Sequence, residues 1–262
     1  MSYTVRNFIG TDAPNSNIDV TQSLGGLNVI EYDHDLSPTV GSAQAAYFAY
    51  QMNVHKRQLV CDLEKGPVVV QAGAMQWMLG DISMTSDVKG VGDLIGKSFK
   101  SKATKESAIK PRYAGHGVLT LEPTYKHLIL TDPADWGGAV VLDDGLFLAC
   151  DAGLKQSVAA RSNIGSALAG GEGLFNLCLS GSGAVCLESD CPKEELIEIE
   201  LVDDVIKIDG NYAVAWSAGL SFTVERSGKS LIGSAASGEG LVNVYRGTGR
   251  VWMEPLAKMP NI

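Results

Sequence analysis

Apolar and polar residues alternate over short runs along much of this chain. Leu196-Ile197-Glu198-Ile199-Glu200-Leu201 shows it most plainly, and a period of two sets one face of a strand against a core and the other in water. Val251 and Met253 alternate with Arg250, Trp252 and Glu254 in the same way. Few segments carry a convincing 3.6-residue period, so the pattern predicts an all-β protein. Asp144-Gly145 lies between Val140-Val141-Leu142 and Leu146-Phe147-Leu148, and Asp209-Gly210 lies between Val205-Ile206-Lys207-Ile208 and Tyr212-Ala213-Val214. Each pair predicts a hairpin, because a type I′ turn needs positive φ at both central positions.

The alternation recurs in register. Gly115-His116-Gly117, Gly181-Ser182-Gly183 and Gly247-Thr248-Gly249 each open the pattern G-x-G-x-φ-x-φ-E, with successive copies 66 residues apart. Ala152-Gly153-Leu154 and Ala218-Gly219-Leu220 repeat at the same spacing, while Glu172-Gly173-Leu174-Phe175-Asn176-Leu177 and Glu239-Gly240-Leu241-Val242-Asn243-Val244 are offset by 67. Gly80 is the expected first-copy counterpart of Gly153 and Gly219, which gives the first unit seven extra residues. Three concordant copies favour duplication over chance. The expectation is a triplicated β domain over residues 46–262, with units at about 46–123, 124–188 and 189–257 in a pseudo-threefold arrangement around one core. A 66-residue unit buries too little surface to stand alone. Residues 1–45 have no repeat counterpart and are expected to be an extension that covers a strand edge.

Composition narrows the function. The 262 residues hold 30 glycines and are 45% hydrophobic and 19% charged, which is a globular composition. A net charge of −9 works against general nucleic-acid binding, where phosphate contacts dominate affinity. No run approaches the length of a membrane helix, and Met1 to Asn15 lacks the apolar core of a secretory signal; a soluble, cytoplasmic protein is expected. Cys61, Cys150, Cys178, Cys186 and Cys191 are an odd, scattered set, expected to be reduced and buried.

The blocks Gln71-Ala72-Gly73-Ala74-Met75, Asp151-Ala152-Gly153-Leu154 and Glu239-Gly240-Leu241-Val242-Asn243, with the three G-x-G turns, resemble the altered-inheritance-of-mitochondria family number twenty-four. Its bacterial members have the tryptophan RNA-binding attenuator protein-like (TRAP-like) fold. The resemblance covers about residues 55–257. It departs at Gln71-Ala72, where the family commonly has an acidic residue and a proline. It implies a sandwich-like, internally triplicated body that self-associates, and no established enzymatic activity. Eukaryotic relatives look like organisers of inner mitochondrial membrane architecture. RNA binding by the fold's namesake does not transfer, since function belongs to sites rather than folds.

Candidate chemistry is sparse. Gly92-Asp93-Leu94-Ile95-Gly96-Lys97-Ser98 resembles a phosphate loop but has three residues between its glycines where four are needed, and Gly228-Lys229-Ser230 lacks the upstream glycine. No G-x-S-x-G elbow is present. His34, His55, His116 and His127 show no metal-ligand spacing, and Asp33-His34-Asp35 lies in a turn-rich stretch that favours a solvated loop. Cys186 and Cys191 lack the second ligand pair of a zinc site. No catalytic, cofactor-binding or metal residues are therefore assigned. Charge is uneven: Lys97, Lys100, Lys102, Lys105, Lys110 and Arg112 oppose only Glu106, and residues 188–209 carry a net −7. Two solvated surfaces are the simpler explanation, and a basic loop meeting an acidic face of another subunit is the sharper one. The reading is a non-enzymatic scaffold or binding protein that forms a homo-oligomer, a trimer being one candidate. Its further partner is an unidentified protein or a membrane surface. A small-ligand or anionic-surface binding module is the alternative, and an enzyme of unrecognised type the third.

Overall fold

A computed structural model of the protein describes residues 4–11, 13–86, 110–160, 175–209, 212–226 and 241–255. The chain opens with a hairpin, β1 (Ile18–Leu24) and β2 (Leu27–Tyr32), followed by a helix, α1 (Ala43–Gln51). Then come β3 (Arg57–Asp62), β4 (Val68–Val70), β5 (Met75–Thr85), β6 (Arg112–Leu121), β7 (His127–Thr131), β8 (Ala139–Leu142) and β9 (Phe147–Asp151). The remaining strands are β10 (Lys155–Ala160), β11 (Phe175–Ser180), β12 (Val185–Ser189), β13 (Ile197–Asp209), β14 (Ala213–Ser217), β15 (Ser221–Arg226) and β16 (Leu241–Met253). Nearly all of the regular structure is β, as expected; α1 is the departure, and the expected boundary at 45/46 falls inside it.

Two curled antiparallel sheets result. The first runs β1-β2-β3-β6-β4-β9-β12-β7 with β5 beside β6, and the second runs β10-β11-β8-β14-β16-β13 with β15 beside β16. The N-terminal hairpin covers the edge of β3 through the β2–β3 ladder. Its own outer strand faces β7, and the Gln22 side chain spans the seam: Nε2 donates to the Leu128 carbonyl at 2.7 Å, and Oε1 accepts from the Leu130 amide at 3.0 Å. One amide side chain thus replaces a backbone unit and closes the first sheet in barrel-like fashion.

The Asp144-Gly145 turn forms, with Gly145 at φ 85°, but the expected hairpin does not. Strand β8 enters the second sheet and β9 the first. The chain reverses between sheets because apolar residues on both flanks bury more surface in the space between the layers than in a two-stranded ribbon. Likewise β13 and β14 both pair with β16 rather than with each other; Gly210 lies outside the described residues.

That inter-layer space is the main core. It gathers Val69, Ile129, Val185 and Leu187 from the first sheet and Leu142, Leu179, Val214 and Trp252 from the second, with Trp136 between. Two further clusters are built on the first sheet and the second. Val251 and Trp252, consecutive on β16, are both buried, at 0% and 2% exposure; the expected alternation there gives way to burial on both faces. Along β13 the alternation holds but changes phase. Ile199 and Leu201 turn inward, the register slips between Leu201 and Asp204 with Asp203 at φ 50°, and Ile206 and Ile208 turn inward after it.

The G-x-G patterns mark places where a strand changes neighbours. β6 pairs with β4 before Gly115 and with β3 after Gly117. β16 pairs with β15 before Gly247 and with β14 after Gly249. Gly181 and Gly183 separate β11, in the second sheet, from β12, in the first. Gly80 is not a turn residue: the turn between β4 and β5 is at Ala72-Gly73. Gly80 instead lies opposite Gly117 in the β5–β6 ladder. A Cβ at Gly117, φ 142°, would sit 2.0 Å from the Leu79 carbonyl oxygen, so only glycine permits this approach.

Candidate functional site

The sequence patterns that suggested chemistry fall only in part on described residues. The phosphate-loop-like segment 92–98, Gly228-Lys229-Ser230 and Lys97, Lys100, Lys102 and Lys105 lie outside the described residues. Lys110 packs over the Phe147 ring at 4.4 Å and reaches Gln71 Oε1 at 3.3 Å. The acidic run 188–209 is partly engaged within the chain, with Glu200 on Arg250 at 2.8 Å and Asp190 on Lys126 at 3.4 Å. Exposed pairs of this kind contribute little to stability. All five cysteines are free thiols, Cys178 half-buried and the others buried. Burial pushes Cys150 up to about 12 and Cys191 up to about 11, Glu195 adding to the latter, and holds Cys61 and Cys186 higher still. None of these four offers a thiolate near neutral pH. Among the described residues no group of three or more His, Cys, Asp or Glu is placed to hold a metal ion.

The structure instead gathers polar groups where β1, β2 and the turn after α1 meet. Residues 36–54 contain no Asp, Glu, Lys, Arg or His, and none of the nine residues of α1 is buried. Its alanines 45, 46 and 49 face a gap of about 340 Å³ over Tyr32, Lys56 and Tyr125. Tyr50 faces the same gap, whereas Tyr47 and Phe48 are 60% and 55% exposed. A surface helix that leaves two aromatic side chains in water and sets three alanines inward departs from the usual arrangement.

Beside this helix lies an open recess of about 480 Å³ walled by Asp19, Glu31, Asp33, Tyr50 and His55. His55 is 9% exposed. Its Nδ1 lies 2.9 Å from the Asp33 carbonyl and 3.1 Å from that of Tyr32. Both neighbours are acceptors, so Nδ1 carries the proton and Nε2 is left with a lone pair. Tyr50 stacks on His34 at 4.0 Å and meets His55 edge-on at 5.7 Å. Asp33 Oδ2 holds His34 Nδ1 at 2.6 Å, and Glu31 holds the buried Arg57 Nε at 2.7 Å. The hydrogen bond from Lys56 draws the Asp35 carboxyl below its ordinary range and raises Lys56 in turn. Asp33-His34-Asp35 is thus a hydrogen-bonded strap on the recess wall. Nothing in the sequence pattern signals that His55 and Asp19, 36 residues apart, share this wall; the one available cue is the uncharged stretch between Leu36 and Val54.

A family model for Mitochondrial biogenesis AIM24 matches residues 50–256. The chain belongs to the AIM24 family. An uncharacterised protein of Streptococcus pyogenes serotype M6 is 31% identical over 204 residues, which is 74% of this chain and 79% of that protein. A crystal structure of a Streptococcus pyogenes protein superposes with a TM-score of 0.57 at 25% identity, over 78% of this chain and 89% of that one. The AIM24 match begins at Tyr50, so β1, β2 and most of α1 lie before it. Among the described residues no helix is long and apolar enough to cross a membrane.

Proposed function

We propose that this AIM24-family chain is a non-catalytic scaffold that associates with copies of itself through open strand edges. The observation that carries the reading is β5. All eleven of its residues lie in a strand that, among the described residues, pairs only with β6, and none of them is buried. Met75, Met78 and Met84 are 37%, 44% and 54% exposed. A long edge with apolar side chains is a template for another strand unless it is blocked, and β5 carries no lysine or proline to block it. β13 is a second edge, paired among the described residues only with β16, with Val202 79% and Val205 44% exposed, although it carries Lys207.

The body is read as three related β units sharing one interior. The change of strand partner at each of the three G-x-G patterns supports this. Light scattering tests the association: the wild-type chain should have a mass above that of one copy. Met78→Glu with Met84→Glu should lower that mass while leaving the melting curve unchanged, because both side chains are exposed. A wild-type chain that stays single at every concentration up to the millimolar range overturns the reading.

A further inference from the structure

We propose that the recess beside α1 binds the guanidinium group of an arginine, presented by a peptide segment with an apolar residue next to it. Three observations converge. The first is acceptor character. Asp19 makes no ion pair or side-chain hydrogen bond among the described residues, and one oxygen of Asp33 remains after the other has engaged His34. Gln51 and Asn53 add side-chain amides to the same wall.

The second is His55. The residue is nine-tenths buried and lines the recess, yet among the described residues its Nε2 has no hydrogen-bond partner, both carbonyl contacts being made by Nδ1. With the proton fixed on Nδ1, this nitrogen asks for a donor. A ligand that is cationic, planar and carries donors around its rim matches an acceptor-lined recess walled by an aromatic ring; guanidinium has five N–H donors in a plane and stacks on aromatic faces. The charges already present are Glu31, offset by Arg57, and Asp35, offset by Lys56. Asp19 and Asp33 remain to favour a cation, with His34 against Asp33.

The third is the flank. Tyr47 lies one turn before Tyr50 and Gln51 on α1, hence on the same helix face, and is 60% exposed. The recess is open rather than enclosed, and an exposed aromatic on the helix face that supplies Tyr50 and Gln51 to it suits a side chain reaching in from a larger partner whose neighbouring apolar residue covers the helix.

The probe is the capped dipeptide Ac-Phe-Arg-NH2, titrated into the full-length protein by calorimetry and by NMR of the histidine side chains. Ac-Phe-citrulline-NH2 is the uncharged isostere. Saturable binding in about the millimolar range is expected, with citrulline weaker by about tenfold. His55 signals should move with the arginine peptide, and affinity should fall as salt is raised. Asp19→Asn with Asp33→Asn should weaken binding about fivefold without altering the melting curve, since both carboxylates are exposed. Tyr47→Ser should weaken the dipeptide but not methylguanidinium. Equal binding of the arginine and citrulline peptides, no saturable binding, or full affinity in the Asp19→Asn, Asp33→Asn protein overturns the proposal. Methylguanidinium binding as tightly as the dipeptide removes the peptide and leaves a small-cation site. Working at a protein concentration where scattering mass is constant separates this result from the fate of the self-association reading.

Discussion

Strands β16 and β5 are built from similar residues and have opposite fates. The end of β16, Arg250-Val251-Trp252-Met253, is buried on both faces, while Gln76-Trp77-Met78-Leu79 of β5 is half-buried or exposed throughout. Both sit in regular ladders. What differs is neighbours: among the described residues β16 pairs with β13, β14 and β15, whereas β5 pairs with β6 alone. Side-chain hydrophobicity therefore states which residues can be covered, and topology decides which are. Among the described residues, β5, β13 and α1 each keep exposed apolar side chains.

The contrast is broken most forcefully at Trp252. It packs edge-to-face on Trp136, with centroids 4.7 Å apart, in the space between the sheets. Trp252→Ala should cost about 3–5 kcal/mol and lower the melting temperature by roughly 10 °C. Met78→Ala on β5 should stay within about 0.5 kcal/mol of wild type. The Trp252 Nε1 donor is buried with no hydrogen-bond partner, so Trp252→Phe, which keeps a ring and removes that donor, should recover most of the loss. Equal effects at Trp252 and Met78 would show that the two strands do not differ as their neighbours imply.

These comparisons also show what was legible beforehand. The strand near Leu196, the turn at Gly145 and the β class follow from period two and turn chemistry, whereas the alternation expected from Val251 does not hold. The sheet assignment of β8 and β9 does not, because the Asp144-Gly145 turn is compatible with a hairpin and with a passage between layers. Gly80 was misplaced for a related reason: a glycine facing Gly117 across a ladder looks, in sequence, like a turn glycine. The recess was hidden because His55 and Asp19 meet through pairing of β1, β2 and β3, which is non-local.

A smaller effect is expected at the seam of the first sheet. Gln22→Ala removes both bonds to β7 and leaves the Leu128 carbonyl and Leu130 amide without them, at a cost of about 1–2 kcal/mol. Gln22→Glu should not rescue it, since a carboxylate can accept from the Leu130 amide but has no donor for Leu128. Hydrogen exchange at the Leu130 amide should quicken in both variants, while amides within the β5–β6 ladder keep their wild-type rates. Seam and hairpin are then separable in one experiment; joint quickening would mean that the first sheet opens as a unit.

The smallest effect concerns His127, the first residue of β7, and it tests the covered side of the contrast through pH. Burial, and secondarily the charge of Arg57, hold its pKa below the ordinary histidine value, with Glu195, Glu31 and Glu194 acting weakly the other way. The folded state therefore takes up a proton less readily than the unfolded state. Stability contributed by the neutral ring is present above about pH 6.5, the unfolded histidine value, and is lost as pH falls from there through the lowered folded value. Because the ring is half-buried, the loss should stay below about 1 kcal/mol, or about 3 °C in melting temperature. Melting His127→Gln beside wild type from pH 7.5 to 5 should show the variant's relative stability rising towards acid. No such convergence is expected for His116→Gln, whose ring is exposed on β6 and whose pKa is raised by Glu64: there the relative stability of the variant should fall towards acid or stay flat. A parallel pH response of the two variants would remove burial as the cause of the His127 shift.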